Sequence, residues 1–133
     1  MMHIGLLGFG GAGGGVWALC APRDDLNVKR VLLRSPKEGL PEEVVTFNAD
    51  DILNDPEIDT VVEVMGGLHP AYEYVSAALA RGKNVVTANK ALIAAYYTEL
   101  TALAREKGAA LRCTAAVGGG IPWLTNLERV KRL

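Results

Sequence analysis

The chain has 133 residues, of which 50% are apolar and 22% charged, and its formal net charge is −1. These values exclude long disorder, and they give no reason to expect nucleic acid or an anionic membrane as a partner. Cys20 and Cys113 are too few for a disulfide framework and lack metal-ligand spacing, so we expect buried thiols in a reducing compartment. The apolar stretch at residues 4–22 is broken by glycines and follows no basic segment, which excludes a signal peptide and a membrane span. We therefore expect a soluble, cytoplasmic domain with a real core.

Strand and helix signals alternate along the chain. Apolar and β-branched runs predict strands at residues 3–7, 27–33, 43–47, 59–65, 84–87 and 109–116. Helices, most of them closed by glycine or proline, are predicted at 13–21, 50–53, 70–81, from the fifth strand to about 107, and from 121 onward. Such alternation gives right-handed crossovers and a mostly parallel sheet with helices on both faces. The predicted fold is α/β, a doubly wound sheet of the Rossmann type.

The last predicted helix carries an apolar stripe on a basic background. Its members recur at helical spacing and are Leu124, Leu127, Val130 and Leu133. A stripe of this kind needs a surface to pack on. Either the core of this domain or material beyond residue 133 would provide that surface.

A glycine-rich turn separates the first predicted strand from the first predicted helix. Gly8, Gly10 and Gly13 form the pattern G-x-G-x-x-G. In a dinucleotide site these glycines permit the turn, the approach of a pyrophosphate and close packing of the helix, whose free N–H groups face the phosphates. The predicted cofactor loop therefore comprises Gly8, Phe9, Gly10, Gly11, Ala12 and Gly13. The alternative is a glycine-rich turn without a ligand.

The residues after the second strand bear on which dinucleotide is bound. An acidic residue about 20 positions past the glycine loop would accept from the ribose 2′-hydroxyl and favour NAD. Arg34 falls at this position instead, and Ser35 and Lys37 follow it. Because a guanidinium can bind a 2′-phosphate, we predict NADP as the cofactor, with NAD as the alternative. The competing interpretation of Arg34 is an ordinary exposed arginine.

The fourth predicted strand ends in residues that can line a ligand crevice, because the carboxyl edge of an open α/β sheet forms that crevice. Met65 and Gly66 lie at this edge, where backbone can pass close to a dinucleotide. Glu63 lies within the apolar strand itself, and a buried carboxylate is costly unless it is hydrogen-bonded. We favour a structural Glu63 satisfied by backbone. The alternative is that it orders the nicotinamide end of the cofactor.

Lys90 follows the fifth predicted strand, with Asn89 beside it. From that edge of the sheet, its ammonium could polarise a carbonyl or hold a carboxylate in the crevice. The alternative is a solvent-exposed lysine at a helix start, where its charge opposes the helix dipole. Position alone leaves the two interpretations open.

Three segments together resemble a known family. They read E-V-M-G-G at residues 63–67, G-K-N-V-V-T-A-N-K-A-L at 82–92 and A-A-V-G-G-G-I-P at 115–122. The chain resembles the N-terminal half of homoserine dehydrogenase over essentially all of residues 1–133, and V-T-A-N-K-A-L is more specific than the glycine pattern. The resemblance implies an NAD(P)-dependent oxidoreductase that reduces aspartate 4-semialdehyde to homoserine on the route to threonine and methionine. It also implies that Lys90 is catalytic and lies between nicotinamide and substrate.

The sequence departs from the family pattern in two ways. The family usually has a glutamate that opens E-A-x-V-x-G-G-x-P and binds a monovalent cation with nearby carbonyls, whereas this chain has Thr114. A hydroxyl is the weaker ligand, so we expect at most a weak site, formed by the carbonyls of Val117, Gly119 and Ile121. The family also continues into a substrate-binding and catalytic domain with an acidic pair and a second lysine, and residues 1–133 contain no counterpart. We therefore expect residues 1–133 to be the dinucleotide-binding domain.

The resemblance implies a small amino-acid semialdehyde as substrate, and we expect a homodimer of the complete enzyme, with this domain inactive alone. Two other interpretations compete with this one. An aspartate-dehydrogenase-like enzyme shares the cofactor fold, but the T-A-N-K segment argues against it. A stand-alone dinucleotide-binding or sensing module without catalysis is supported by the short length.

Overall fold

The computed structural model describes residues 1–114 and 121–131. The strands are β1 Met2–Leu7, β2 Leu26–Leu32, β3 Val45–Thr46, β4 Thr60–Glu63, β5 Asn84–Thr87 and β6 Leu111–Cys113. The helices are α1 Gly10–Cys20, α2 Asp50–Leu53, α3 Ala71–Ala80, α4 Lys90–Lys107 and α5 Ile121–Lys131, and a 3₁₀ turn at Glu42–Val44 precedes β3. Over these described ranges, no helix combines the length and apolar character needed to cross a membrane.

The strands of the described chain form one sheet in the order β3-β2-β1-β4-β5-β6. Every neighbouring pair is parallel, and the β1–β2 pair shifts register between Ile4 and Gly5. The chain winds outward from β1 in both directions, so the topological switch point lies between β1 and β4. The predicted doubly wound α/β fold is confirmed. The carboxyl ends of β2, β1, β4 and β5 lie side by side along one edge.

Two apolar clusters pack on the two faces of this sheet. Helices α1 and α5 cover the first face, with Val16 and Leu127 among their buried residues. Helices α2, α3 and α4 cover the second face, with Val75 among theirs. Adjacent residues of one strand alternate between the clusters, as Val62 and Val61 of β4 do. Burial on both faces explains why the strands read as nearly continuous apolar runs.

The apolar stripe of α5 packs on the core of this domain. Leu127 and Val130 are fully buried in the first cluster, together with Trp123, and Leu124 is partly buried against it. Of the two surfaces considered from the sequence, the core of this domain is therefore the one on which these residues pack. Leu133 lies outside the described residues.

Several element boundaries differ from the prediction, and strand β6, predicted from residue 109, begins at Leu111. Helix α1 begins at Gly10 rather than at residue 13, so part of the glycine loop is already helical. The first two residues of the strand predicted at 43–47 belong to the 3₁₀ turn Glu42–Val44, and only Val45 and Thr46 pair with β2. Strand β4 ends at Glu63, two residues early, because the Glu63 carboxylate accepts from the Met65 and Gly66 N–H groups.

The two cysteines differ in environment. Cys20 is buried in the first cluster, and this burial raises the pKa of its thiol to about 11. Cys113 is exposed at the end of β6. The expectation of a buried thiol is confirmed for Cys20 and wrong for Cys113, which ends β6, the strand at the edge of the sheet.

Charged groups tie together the loops near the amino ends of the strands. The Nζ atom of Lys29 lies 2.7 Å from Asp55 Oδ2 and 2.6 Å from Glu57 Oε1. The Lys29 ammonium lowers the pKa of Asp55, and the two carboxylates raise the pKa of Lys29. Lys83 is buried and donates to the carbonyl oxygens of Asp55 and Ile58 at 2.7 and 2.6 Å. These bonds fix the α2–β4 loop at the edge of the sheet opposite the ligand crevice.

Candidate functional site

A cleft of about 250 Å³ lies at the carboxyl edge of the sheet, where the chain leaves β1, β2 and β4. Its lining residues are Gly8, Phe9, Gly10, Leu32, Leu33, Arg34, Ser35, Lys37, Val64 and Met65. The cleft includes the topological switch point, which is the usual ligand position in open α/β sheets. It brings together the glycine turn, the basic residues after β2 and Met65, which the sequence had placed in separate segments.

The turn from β1 into α1 requires glycine for two different reasons. Gly8 has a φ of +96°, which other residues rarely adopt. A Cβ atom on Gly13 would lie 2.9 Å from the carbonyl oxygen of Gly8, so only glycine lets α1 pack this close to the turn. A Cβ on Gly10 would meet no protein atom within 4 Å, because that side faces open space. A ligand can therefore approach the backbone at Gly10.

The N-terminus of α1 offers hydrogen-bond donors to this cleft. Phe9 occupies the cap position, and no side chain caps the helix there. Its first turn, which includes Gly11 and Ala12, also contains no acidic residue. The first N–H groups of a helix have no intrahelical partner, and the helix dipole favours negative charge at this end. An anionic group bound at Gly10 would satisfy both requirements.

The far end of the cleft is basic. Arg34, Ser35 and Lys37 follow β2, and all three are exposed. In the described part of the chain, no acidic side chain lines the cleft and no salt bridge involves Arg34 or Lys37. Their positive charge is therefore available to an anionic group of a ligand, such as a phosphate.

The carboxylate of Glu63 is fully buried and satisfied within the protein. Oε2 accepts from the N–H groups of Met65 and Gly66 at 2.8 and 3.2 Å, and Oε1 accepts from the Thr87 hydroxyl. The amide nitrogen of Asn89 lies 3.5 Å from Oε2. The backbone partners agree with the structural role favoured from the sequence. The side-chain partners Thr87 and Asn89 were missed, although the polar T-x-N that begins at the last residue of β5 was a signal for them.

Lys90 is the first residue of α4 and lies at the same edge, after β5. Asn89 defines this helix start, because its Oδ1 accepts from the Leu92 N–H at 3.0 Å. Lys90 is exposed and does not line the 250 Å³ cleft. The site thus has two parts, the cleft beside β1 and Lys90 one strand beyond β4.

The predicted cation site lies largely outside the described residues, which include neither Val117 nor Gly119. Ile121 is the first residue of α5. Thr114 is buried, and its hydroxyl oxygen accepts from Asn126 Nδ2 at 2.6 Å. Within residues 1–114 and 121–131, no group of three His, Cys, Asp or Glu side chains could hold a metal. A weak carbonyl site for a monovalent cation stays a prediction.

Comparison with known proteins identifies the family. A sequence model described as "Homoserine dehydrogenase, NAD binding domain" matches residues 8–114. The chain belongs to this family. Curated homoserine dehydrogenases from Bacillus subtilis and Synechocystis are 39% and 43% identical to it, each over 96% of this chain and 32% of the relative. The chain therefore spans about a third of the length of these homoserine dehydrogenases.

Solved homoserine dehydrogenase structures share the fold. A homoserine dehydrogenase from Thiobacillus denitrificans is 42% identical with a TM-score of 0.80, over 95% of this chain and 32% of its own. One from S. aureus is 34% identical with a TM-score of 0.79, over 87% of this chain and 33% of its own. The resemblance drawn from the sequence is confirmed, and a nicotinamide dinucleotide is the class of cofactor that this family domain binds.

Proposed function

We propose that this chain is the cofactor-binding domain of a homoserine dehydrogenase and that it prefers NADP(H) to NAD(H). The observation that carries the proposal is the single cleft that joins the start of α1 to the basic residues after β2. One end suits a pyrophosphate and the other suits a 2′-phosphate. When bound, a nicotinamide cofactor supplies or accepts a hydride.

The residues present fit such a cofactor. Gly10 leaves the backbone open to the pyrophosphate, and the first turn of α1 donates N–H groups to it. Arg34 and Ser35 lie where they can bond the adenosine phosphate. Met65 borders the cleft on the β4 side, and Gly66 follows it in the chain without lining the cleft. These assignments follow the order of the strands along the sheet edge.

For the complete enzyme, we propose L-aspartate 4-semialdehyde as the substrate and L-homoserine as the product, as for the family. Lys90 orients the aldehyde and stabilises the negative charge that develops on its oxygen. Its position after β5, at the edge that also carries the cleft, supports this role. The homodimer expected for the complete enzyme stays a prediction.

Fluorescence titration with NADPH and NADH tests the cofactor proposal, using the purified chain and its Arg34→Ala variant. A bond from a charged group contributes about 1.5–3 kcal/mol, so NADPH affinity should fall by roughly tenfold or more. NADH affinity should stay nearly unchanged in Arg34→Ala, and added salt should weaken NADPH binding to the wild-type chain more than NADH binding. Arg105→Ala is the control, because Arg105 lies in the last turn of α4 and does not line the cleft.

Two results would contradict the proposal. An equal loss of NADPH and NADH affinity in Arg34→Ala would remove the assignment of NADP preference to Arg34. A wild-type chain that binds neither dinucleotide at millimolar concentration would contradict the cofactor-binding function itself.

A further inference from the structure

The buried carboxylate of Glu63 connects the two loops on which the proposed function depends. We propose that Glu63 is a positioning residue, which holds the loop at residues 65–67 and the start of α4 in one arrangement and so sets Lys90 relative to the cofactor cleft. This inference rests on the proposed function of the cleft and of Lys90. Its first support is that all the partners of the carboxylate belong to these two loops and to the end of β5.

On the cleft side, the loop after β4 turns around Glu63. The carboxylate accepts from two successive backbone N–H groups, those of Met65 and Gly66, at 2.8 and 3.2 Å. Gly66 and Gly67 have φ values of +77° and +74°, so the chain turns sharply here. Met65 is itself a wall of the cleft. The position of Met65 in the cleft therefore depends on the Glu63 carboxylate, a buried hydrogen-bond acceptor at the end of β4.

On the α4 side, the same carboxylate reaches the helix start through two side chains. The Thr87 hydroxyl donates to Oε1 and accepts from the Asn89 N–H at 3.0 Å. The Asn89 amide lies 3.5 Å from Oε2, donates to the carbonyl oxygen of Gly67, and caps α4 through its Oδ1. Asn89 thus touches the carboxylate, the other loop and the helix that begins with Lys90.

The chemistry of the network requires a hydrogen-bond acceptor at both side-chain oxygens of Glu63. Each of its four contacts is made by a donor, and a carboxylate is an acceptor at both oxygens. Hydrogen bonds to a charged acceptor are roughly twice as strong as neutral ones. A neutral amide in this place keeps the shape but offers one acceptor and two donors, so it cannot accept from both loops as the carboxylate does.

Adjacent residues of β4 allow the effect of Glu63 on the two loops to be distinguished from a general loss of core stability. Val62, the preceding residue, is also fully buried, but it packs in the first apolar cluster on the other face. Removing two methyl groups there loosens the core without touching either loop. Val62→Ala is therefore a control that lowers stability and leaves the Glu63 contacts intact.

Amide hydrogen exchange and NADPH titration on the wild-type chain, Glu63→Gln and Val62→Ala test the proposal. In Glu63→Gln, exchange at Met65, Gly66 and Asn89 should accelerate by about tenfold, the scale of one bond to a charged group. NADPH affinity should fall several-fold. In Val62→Ala, local exchange at these three amides and NADPH affinity should match wild type despite a lower Tm. In the full-length enzyme, Glu63→Gln should lower kcat more than it raises KM, because Lys90 is displaced.

Three outcomes decide the matter. Wild-type exchange at the three amides and wild-type NADPH affinity in Glu63→Gln would overturn the proposal. If Glu63→Gln fails to fold, Thr87→Val removes the donor to Oε1 with little change in volume, and unchanged exchange at Met65 and Gly66 in that variant would also overturn it. If the wild-type chain binds no dinucleotide, the proposed function fails, whereas the exchange comparison needs no cofactor and still decides whether Glu63 holds the loops.

Discussion

At the scale of the residue, the chemistry proposed for Lys90 depends on where α4 begins. The side chain is exposed and is the first of the helix, so its position follows from the Asn89 cap rather than from packing of its own. A cation at a helix N-terminus opposes the helix dipole. A lysine at this position slightly lowers the free energy of unfolding, which is consistent with a role for Lys90 in the reaction rather than in folding.

Lys90→Met in the full-length enzyme should lower kcat by about a hundredfold, the scale of losing one electrostatic stabiliser of the transition state. KM should change little, because the lost interaction is stronger in the transition state than in the ground state. Steady-state kinetics on the folded variant measure this effect. Lys107→Met, at the other end of α4, is the matched control. Near-normal turnover of a folded Lys90→Met enzyme would show that Lys90 is a solvent-exposed lysine without a catalytic role.

Sequence reasoning identified Glu63 as a buried carboxylate but found only half of its partners. Thr87 and Asn89 are 24 and 26 residues away along the chain. They reach Glu63 because β4 and β5 are neighbours, with Glu63 opposite Thr87 in the register. A hydrophobic pattern predicts that a strand exists but does not say which strand lies beside it. Contacts between loops are therefore the part of the site that the pattern could not predict.

At the scale of the element, substitution by alanine should have opposite effects on stability at Gly13 and Gly15 of α1, because only Gly13 packs against the β1–α1 turn. In Gly13→Ala the new Cβ would lie 2.9 Å from the backbone oxygen of Gly8, which has little freedom to move. We expect a loss of about 1–3 kcal/mol in the free energy of unfolding, as for overpacking elsewhere, and weaker NADPH binding. Urea denaturation and titration measure the two effects.

Gly15→Ala is the matched control for that substitution. No protein atom lies within 4 Å of its added Cβ, and an alanine inside a helix is favoured over glycine by about 0.5–1 kcal/mol. The variant should be more stable than wild type and bind NADPH normally. Equal effects of the two substitutions on stability would show that close packing of α1 on the turn is not what requires Gly13.

The ion pair between β2 and the α2–β4 loop predicts a pH dependence of stability. Lys29 lowers the pKa of Asp55, so the contribution of Asp55 is present above its unfolded pKa of about 3.9 and is lost as pH falls through the folded value. Thermal denaturation should show wild type above Asp55→Asn in Tm from about pH 5 to 8, with the difference shrinking below about pH 4. Asp24→Asn, at an exposed aspartate in the α1–β2 connection, should show neither effect. A Tm difference that is the same at pH 3 and pH 7 would contradict this account.

Elements with clear sequence signals were predicted closely whatever their length, including the four-residue helix α2 at Asp50–Leu53. Strand β5 and helix α4 matched because apolar runs and a glycine C-cap mark them clearly, with Gly108 in the left-handed conformation. Strand β3 is two residues long, too short for any alternation to show. The start of α1 was predicted at residue 13 because glycine signals a turn in the sequence, whereas the helix begins at Gly10, a glycine with a φ of +23°.

At the scale of the whole molecule, we expect the 133-residue chain to retain cofactor binding without retaining catalytic turnover. The chain spans about a third of the length of the curated homoserine dehydrogenases that it matches. Positioning of two reactants can contribute roughly 7–11 kcal/mol to catalysis, and the described residues provide one cleft and one lysine for it. The 133-residue chain should therefore bind NADPH without oxidising homoserine. Spectrophotometric assay of NADPH formation checks this, with the full-length enzyme as the positive control. Homoserine-dependent NADPH formation by the chain alone would contradict it.

The division of the core by the sheet affects how this molecule tolerates change. The side chains under α1 and α5 belong to one cluster and those under α2, α3 and α4 to the other, with the backbone of the sheet between them. Energetic coupling between substitutions needs shared contacts and fades with distance. Losses on opposite faces should therefore add, while losses on the same face interact. The side chains under either layer of helices can then be replaced, in evolution or by design, without compensating substitutions in the other cluster. The sheet edge that carries the cleft keeps its shape in either case.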